Sequence, residues 1–173
     1  KQFRAADGSL YVIGSSVATV GYFSITKFDP ALNFLWNRSF PVKDLYSEIY
    51  ELVESNDGSV YLWYKNFPQP FDEQLSVLKL DASGNMIWNR EYDPAGRFIG
   101  QTDGSLCQDD QFLYAVYEGI YSPEGTIVMK IAKANGNLVW ARTYTMGSFT
   151  TRLHRKISLL GNKLALFGFI SDN

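Results

Sequence analysis

Trp36-Asn37-Arg38-Ser39-Phe40, Trp88-Asn89-Arg90-Glu91-Tyr92 and Trp140-Ala141-Arg142-Thr143-Tyr144 stand 52 residues apart, and each opens the same pattern, Trp-x-Arg-x-aromatic. Self-similarity at such a period marks one supersecondary unit used several times. Upstream of each tryptophan runs an apolar segment carrying a lysine: Ser24-Ile25-Thr26-Lys27-Phe28, Ser76-Val77-Leu78-Lys79-Leu80 and Ile127-Val128-Met129-Lys130-Ile131. Between the two lie Asp29-Pro30-Ala31-Leu32-Asn33, Asp81-Ala82-Ser83-Gly84-Asn85 and Ala134-Asn135-Gly136-Asn137. Asx and glycine chemistry of this kind reverses a chain, so each pair reads as a β-hairpin. Residues two apart on a strand share a face, which puts the Trp, the Arg and the closing aromatic on one side.

A further strand precedes each hairpin, entered through Asp7-Gly8-Ser9, Asp57-Gly58-Ser59, Asp109-Asp110-Gln111 and Gly161-Asn162-Lys163. A weaker fourth strand is expected near 46–54, 97–103 and 153–160. Leu45, Ile49, Leu52 and Val53 fit helical spacing at least as well as alternation, but equivalent positions of a repeat share a structure, so the segment is read as strand. Four short strands in about 50 residues make a propeller blade. The expected fold is all-β: a single propeller segment over 1–173, about three and a third blades, with boundaries near 45, 97 and 152. That amounts to about thirteen strands, beginning with three in the first blade, where even a four-bladed ring needs roughly sixteen. The expectation is a piece of a larger propeller, or a chain completed by further blades of the same or another polypeptide.

The hairpin segments resemble the repeats of the quinoprotein-like (pyrroloquinoline-quinone-type) propellers and related secreted bacterial propellers, whose blades end in Asp-x-x-x-Gly-x-x-x-Trp. The run from Ala132 to Trp140 keeps that spacing with Ala132 in place of the Asp. Asp81 to Trp88 through Gly84 is one residue shorter, and the first copy lacks the glycine. The resemblance covers ten to twenty residues in each repeat and implies that the tryptophans pack between neighbouring blades. Dehydrogenases of that type hold their quinone and calcium with a once-only set of acidic and amide side chains, often beside a vicinal cysteine pair. No such set is matched here, so no cofactor, no metal and no catalytic residue are expected.

Composition narrows the function classes. With 46% hydrophobic and 16% aromatic residues the chain can bury a substantial core. Sixteen basic against eighteen acidic residues, with no long run of one sign, leave no field for nucleic acid. One cysteine and one histidine supply neither a disulfide nor a zinc site, and Cys107 reads as a small apolar strand residue. No stretch reaches the ~18 apolar residues of a membrane helix, so no membrane insertion is expected. A chain that opens on Lys1 rather than methionine reads as a processed or trimmed product.

Arg38, Arg90 and Arg142 recur too regularly to mark one active site and read as stackers or ion-pair donors between blades. His154 is the one histidine available as a base, and no nucleophile elbow, phosphate loop or metal-spaced cluster accompanies it. Glu48, Glu51 and Glu54 read as a solvated face. Asn37-Arg38-Ser39 is a glycosylation sequon set inside a strand. Short Asp-Gly and Asn-Gly turns repeat at one end of every blade, whereas the opposite end carries segments that differ from copy to copy: 15–21, 65–73 and 117–125. Prolines stiffen these segments, and Phe67, Phe71, Asp72 and Tyr121 are the residues expected to bind a partner there. The function this supports is a non-catalytic binding or scaffold module of a secreted, surface or envelope protein, recognising a protein or glycan surface. The alternatives are a propeller enzyme with its site at the axis, or a subunit of an assembly that supplies the missing blades.

Overall fold

The computed structural model describes residues 1–16, 22–41, 47–69, 72–92, 104–119, 125–144, 156–161 and 163–167, and gives side chains for these except 15, 16, 67–69, 72, 73, 118 and 119. The described residues contain no helix. Their strands are β1 (Gln2–Arg4), β2 (Leu10–Ser16), β3 (Tyr22–Phe28), β4 (Phe34–Pro41), β5 (Ser47–Glu54), β6 (Val60–Gln69), β7 (Asp72–Leu80), β8 (Met86–Tyr92), β9 (Ser105–Gln108), β10 (Phe112–Gly119), β11 (Gly125–Ala132), β12 (Leu138–Tyr144), β13 (Lys156–Leu160) and β14 (Lys163–Phe167). They form four sheets in chain order: β1 to β4, β5 to β8, β9 to β12, and the pair β13–β14. The chain divides into two compact units, Lys1–Asn89 and Arg90–Asn173.

Two expectations are corrected. The first sheet has four strands rather than three, because Gln2, Phe3 and Arg4 pair with Val12, Tyr11 and Leu10. The weak strand of the third sheet lies at Ser105–Gln108, against the turn into β10, while 97–103 falls outside the described residues. The ambiguous segment near 49 is a strand, and its helical spacing has a physical cause. A bulge at Tyr50 inserts one extra residue, so Ile49 and Leu52, three apart, pair with Tyr64 and Leu62 on one face.

Each four-stranded sheet has a tryptophan face and a reverse face. On the tryptophan face of the first sheet, Lys27 stands opposite both Tyr11 and Trp36, and in the third sheet Lys130 stands opposite both Tyr114 and Trp140. Lys27 Nζ lies 5.2 Å from the Tyr11 ring and Lys79 Nζ 5.4 Å from the Tyr61 ring. The lysine of each repeat thus lies against aromatic faces, with its stem covered.

In the first unit the tryptophan face of sheet one packs on the reverse face of sheet two. Tyr11, Ile13, Phe23, Ile25 and Trp36 share one core with Ile49, Leu52, Val60, Leu62, Tyr64, Leu78 and Leu80. Phe23 meets Tyr64 edge-on at 5.4 Å, and Lys27 crosses to Glu54 at 2.8 Å. Burial together with that carboxylate pushes the Tyr11 phenol well above its ordinary range. Trp36 ends on the next hairpin turn, where its Nε1 donates to the Ala82 carbonyl at 3.0 Å. Its ring lies over Gly84, where an added Cβ would come within 2.9 Å of Cδ2 and Cε3. The second unit repeats the scheme: Tyr114, Val116, Val128 and Trp140 pack with Ile157, Leu159, Leu164 and Leu166 of the last pair.

Aspartates fasten one end of the first two sheets. Asp7 and Asp57 accept from the backbone N–H and hydroxyl of Ser9 and Ser59, at 2.8 to 3.1 Å. Asp29 and Asp81 accept from the amide and side chain of Asn33 and Asn85. At the third hairpin, where Ala132 replaces the Asp, Asn135 takes over and accepts from the Asn137 amide. The two turns of a sheet pack together: a Cβ at Gly8 would meet Pro30, and one at Gly58 would meet Ala82. Positions 32, 84 and 136 all adopt positive φ, filled by glycine in the second and third copies and by Leu32, at +66°, in the first.

These features make three outcomes measurable by thermal and urea unfolding. Leu32 is 59% exposed, so Leu32→Gly removes left-handed strain with little packing lost and should raise stability by about 1 kcal/mol; a fall would contradict the assignment. Trp88, buried with its ring 6.0 Å from Tyr61, should cost about 3–5 kcal/mol when truncated to alanine. Hydrogen bonds from Ser9, Asn33 and Asn85 hold the carboxyls of Asp7, Asp29 and Asp81 below the usual range. Their stabilising contribution is complete above the unfolded value of about 3.9 and is lost as pH falls through the lower folded values. Stability should therefore decline below about pH 4, less steeply in Asp81→Asn; an unchanged acid slope in that variant would exclude the clamp.

Candidate functional site

The end of the second sheet opposite the aspartate clamps departs from the repeat. Position 65, on the tryptophan face of β6, is Lys65; the same register position is Ser15 in the first sheet and Glu118 in the third. Lys65 is 0% exposed, and its Nζ lies 3.6 Å from Glu48 of the adjacent strand. On the reverse face Ser47 Oγ donates to Asn66 Oδ1 at 3.0 Å, and Asn66 Nδ2 donates to the buried Ser76 Oγ at 3.0 Å. Two residues nearer the sheet centre, Tyr64 and Asn89 are linked at 2.8 Å. A buried polar group is tolerated when it is hydrogen-bonded, and here the amide and hydroxyls satisfy one another across three strands. The network stiffens the strand ends from which the β6–β7 connection springs.

That connection is shorter than the sequence implies. The nine residues 65–73, expected as a loop, are mostly strand: Lys65, Asn66 and Gln69 pair with Leu75, Gln74 and Asp72, leaving 70 and 71 between the strand ends. The register slips between Asn66 and Gln69, where Pro68, which has no N–H to donate to the ladder, sits. Phe67 and Asp72 are therefore on strands β6 and β7, one just before and one just after the connection, and their side chains lie outside the described residues. Phe71 and Tyr121 lie outside them altogether, as does His154. Strand pairing reaches Ser16 and Tyr22 in the first sheet and Gly119 and Gly125 in the third, so those connections occupy 17–21 and 120–124.

The repeated side chains are engaged in packing. Arg142 lies over Trp140 at 5.0 Å, Arg90 Nε donates to the Asn135 carbonyl at 3.3 Å, and Tyr92 donates to the Gly136 carbonyl at 2.7 Å. Arg38 borders Gly84 and helps depress the Asp81 carboxyl. Of Glu48, Glu51 and Glu54, expected as a solvated face, Glu48 is exposed and faces Lys65, whereas Glu54 is largely withdrawn from water and bonds Lys27. Cys107, on β9, is in no disulfide and packs against the core of the second unit. Asn37 is exposed and bonds Thr26 Oγ1 at 2.7 Å. Among the described residues no group of three or more His, Cys, Asp or Glu is placed to hold a metal, and no helix is long and apolar enough to cross a membrane.

Lys65 is the residue that motif reading passed over. Aligning the copies by register, rather than by motif, exposes it as a lysine where the neighbouring copies carry Ser15 and Glu118. No protein-family model matches the chain, and no curated protein matches it.

The two buried polar groups should separate by mutation. Asn66→Ala leaves the Ser47 and Ser76 hydroxyls without their partner and should cost about 1–3 kcal/mol in urea unfolding. Lys65→Met replaces a buried charge with a flexible apolar chain of similar length and should be neutral or stabilising. A loss beyond about 3 kcal/mol in Lys65→Met would show that the charge itself holds the fold.

Proposed function

We propose that the chain is a segment of a β-propeller that serves as a non-catalytic binding or scaffold module in a secreted, surface or envelope protein. Its partner is a protein or glycan surface, met by the ends of the sheets opposite the aspartate clamps, through Phe67, Phe71, Asp72 and Tyr121. Sequential four-stranded meanders, with a tryptophan face on the next reverse face inside each unit, support the propeller part of the reading. The kinship to pyrroloquinoline-quinone-type propellers is a likeness of scaffold under this reading, with no cofactor.

The observation that carries the binding surface is the contrast between the two ends of the sheets. One end is spent on its own architecture, since its carboxylates, turn glycines and prolines bond or pack within the sheet. The other carries connections of unequal length, and under the second of them a buried Lys65 and a closed Asn66 network brace the strands. Rigid aromatic anchors on a braced support are the arrangement binding hot spots favour.

Selection of ligands from a glycan array and a displayed peptide library tests this. For a ligand so obtained, Phe67→Ala with Tyr121→Ala should weaken binding by about 2 kcal/mol, roughly 30-fold, without loss of melting temperature. Ser83→Ala, on the clamped end, should leave it unchanged. Loss of binding in Ser83→Ala but not in the aromatic double variant would place the partner at the wrong end.

A further inference from the structure

The reverse face of the first sheet differs from its counterparts in two respects that together describe what covers it. In the second sheet this face is Val60, Leu62 and Leu78, each at most 1% exposed beneath the tryptophan face of sheet one. The first sheet places Leu10, Val12 and Thr26 in that register, and Val12 is 39% exposed, with Tyr22 at 43% further along the face. The other difference is a charge. Glu54, paired opposite Val60, receives Lys27 from the covering sheet at 2.8 Å, and both side chains are largely withdrawn from water. At that register position, opposite Leu10, the first sheet carries Arg4.

We propose that the reverse face of the first sheet is a docking surface for the tryptophan face of one further four-stranded meander of this repeat class, in which a carboxylate replaces the row lysine. The inference rests on the stacked-sheet reading above and adds the chemistry of the neighbour. A lysine laid on this face as Lys27 is laid on sheet two would meet the Arg4 guanidinium instead of a carboxylate. Like charges withdrawn from water are strongly unfavourable, whereas an aspartate or glutamate there completes the pair with its sign inverted. All three meanders of this chain carry lysine at the row position, Lys27, Lys79 and Lys130. Arg4 therefore rejects a second copy of this chain as the occupant and selects a different blade.

The test extends the full chain by a copy of its own residues 1–50 fused directly ahead of Lys1, which reproduces the register offset between Leu10 of the first sheet and Val60 of the second. Two forms are compared, one unaltered and one with Lys27→Glu in the added copy alone, each with Val12→Cys and Cys107→Ser in the parent part. The Lys27→Glu form should melt at least about 3 °C above the unaltered form and shield the Val12→Cys thiol from alkylation, while the unextended chain sediments as a monomer. Shielding in both forms with no gain from glutamate would overturn the charge rule and leave the stacking intact. An equally reactive thiol in both would overturn the docking surface and the stacked reading with it. Self-association of the unextended chain abolished by Val12→Asp would assign the face to a second copy and refute the proposal.

Discussion

The seating of a tryptophan on the hairpin turn of the following sheet is the contact on which the rest of the first unit depends. Trp36 reaches across, donates to the Ala82 carbonyl and lies flat against Gly84, a residue with no side chain to hold it off. That contact fixes how far apart the two sheets lie, and the aliphatic and aromatic rows between them fill the gap so defined. It explains why the turn that receives the Trp36 ring carries glycine within an Asx turn. The turn must be tight, its backbone must accept a ring, and its own hydrogen bonds must be satisfied locally because the ring takes the side facing the core.

Lysine is the second element of this interface. In each repeat it sits in the middle strand with aromatic rings beside it, and in the first unit it bridges to a carboxylate of the next sheet. A buried ion pair contributes less to stability than to selecting one geometry and one neighbour. The replacement of Glu54 by Arg4 at the corresponding place of the first sheet follows that logic.

Much of the sheet structure was legible in the sequence because it repeats. The hairpins, their turns and the lysine strands were placed by periodicity, and the same periodicity settled the segment around Ile49, whose helical spacing comes from one bulged residue at Tyr50. The repeat misled where a copy deviates. Strand β1 has three residues, too few to show alternation, and β9 lies later than the motif spacing places it. The segment after Tyr64 carries two prolines and polar residues, which read as a long loop, yet strand pairing continues to Gln69 around a slipped register. Of the candidate site, the contrast between a uniform end and a varied end was legible. Lys65 and its polar surroundings were not, because no local pattern reports the burial of a lysine.

A double-mutant cycle between Trp36→Ala and Gly84→Ala tests the central contact most directly. Gly84→Ala carries backbone strain from its positive φ and, in the parent, a clash with the Trp36 ring at 2.9 Å. Removing that ring should relieve the clash and leave the strain, so the cost of Gly84→Ala should fall by at least about 1 kcal/mol in the Trp36→Ala background. Additive costs, with no coupling between the two positions, would contradict the account that one sheet is positioned on the next through this ring.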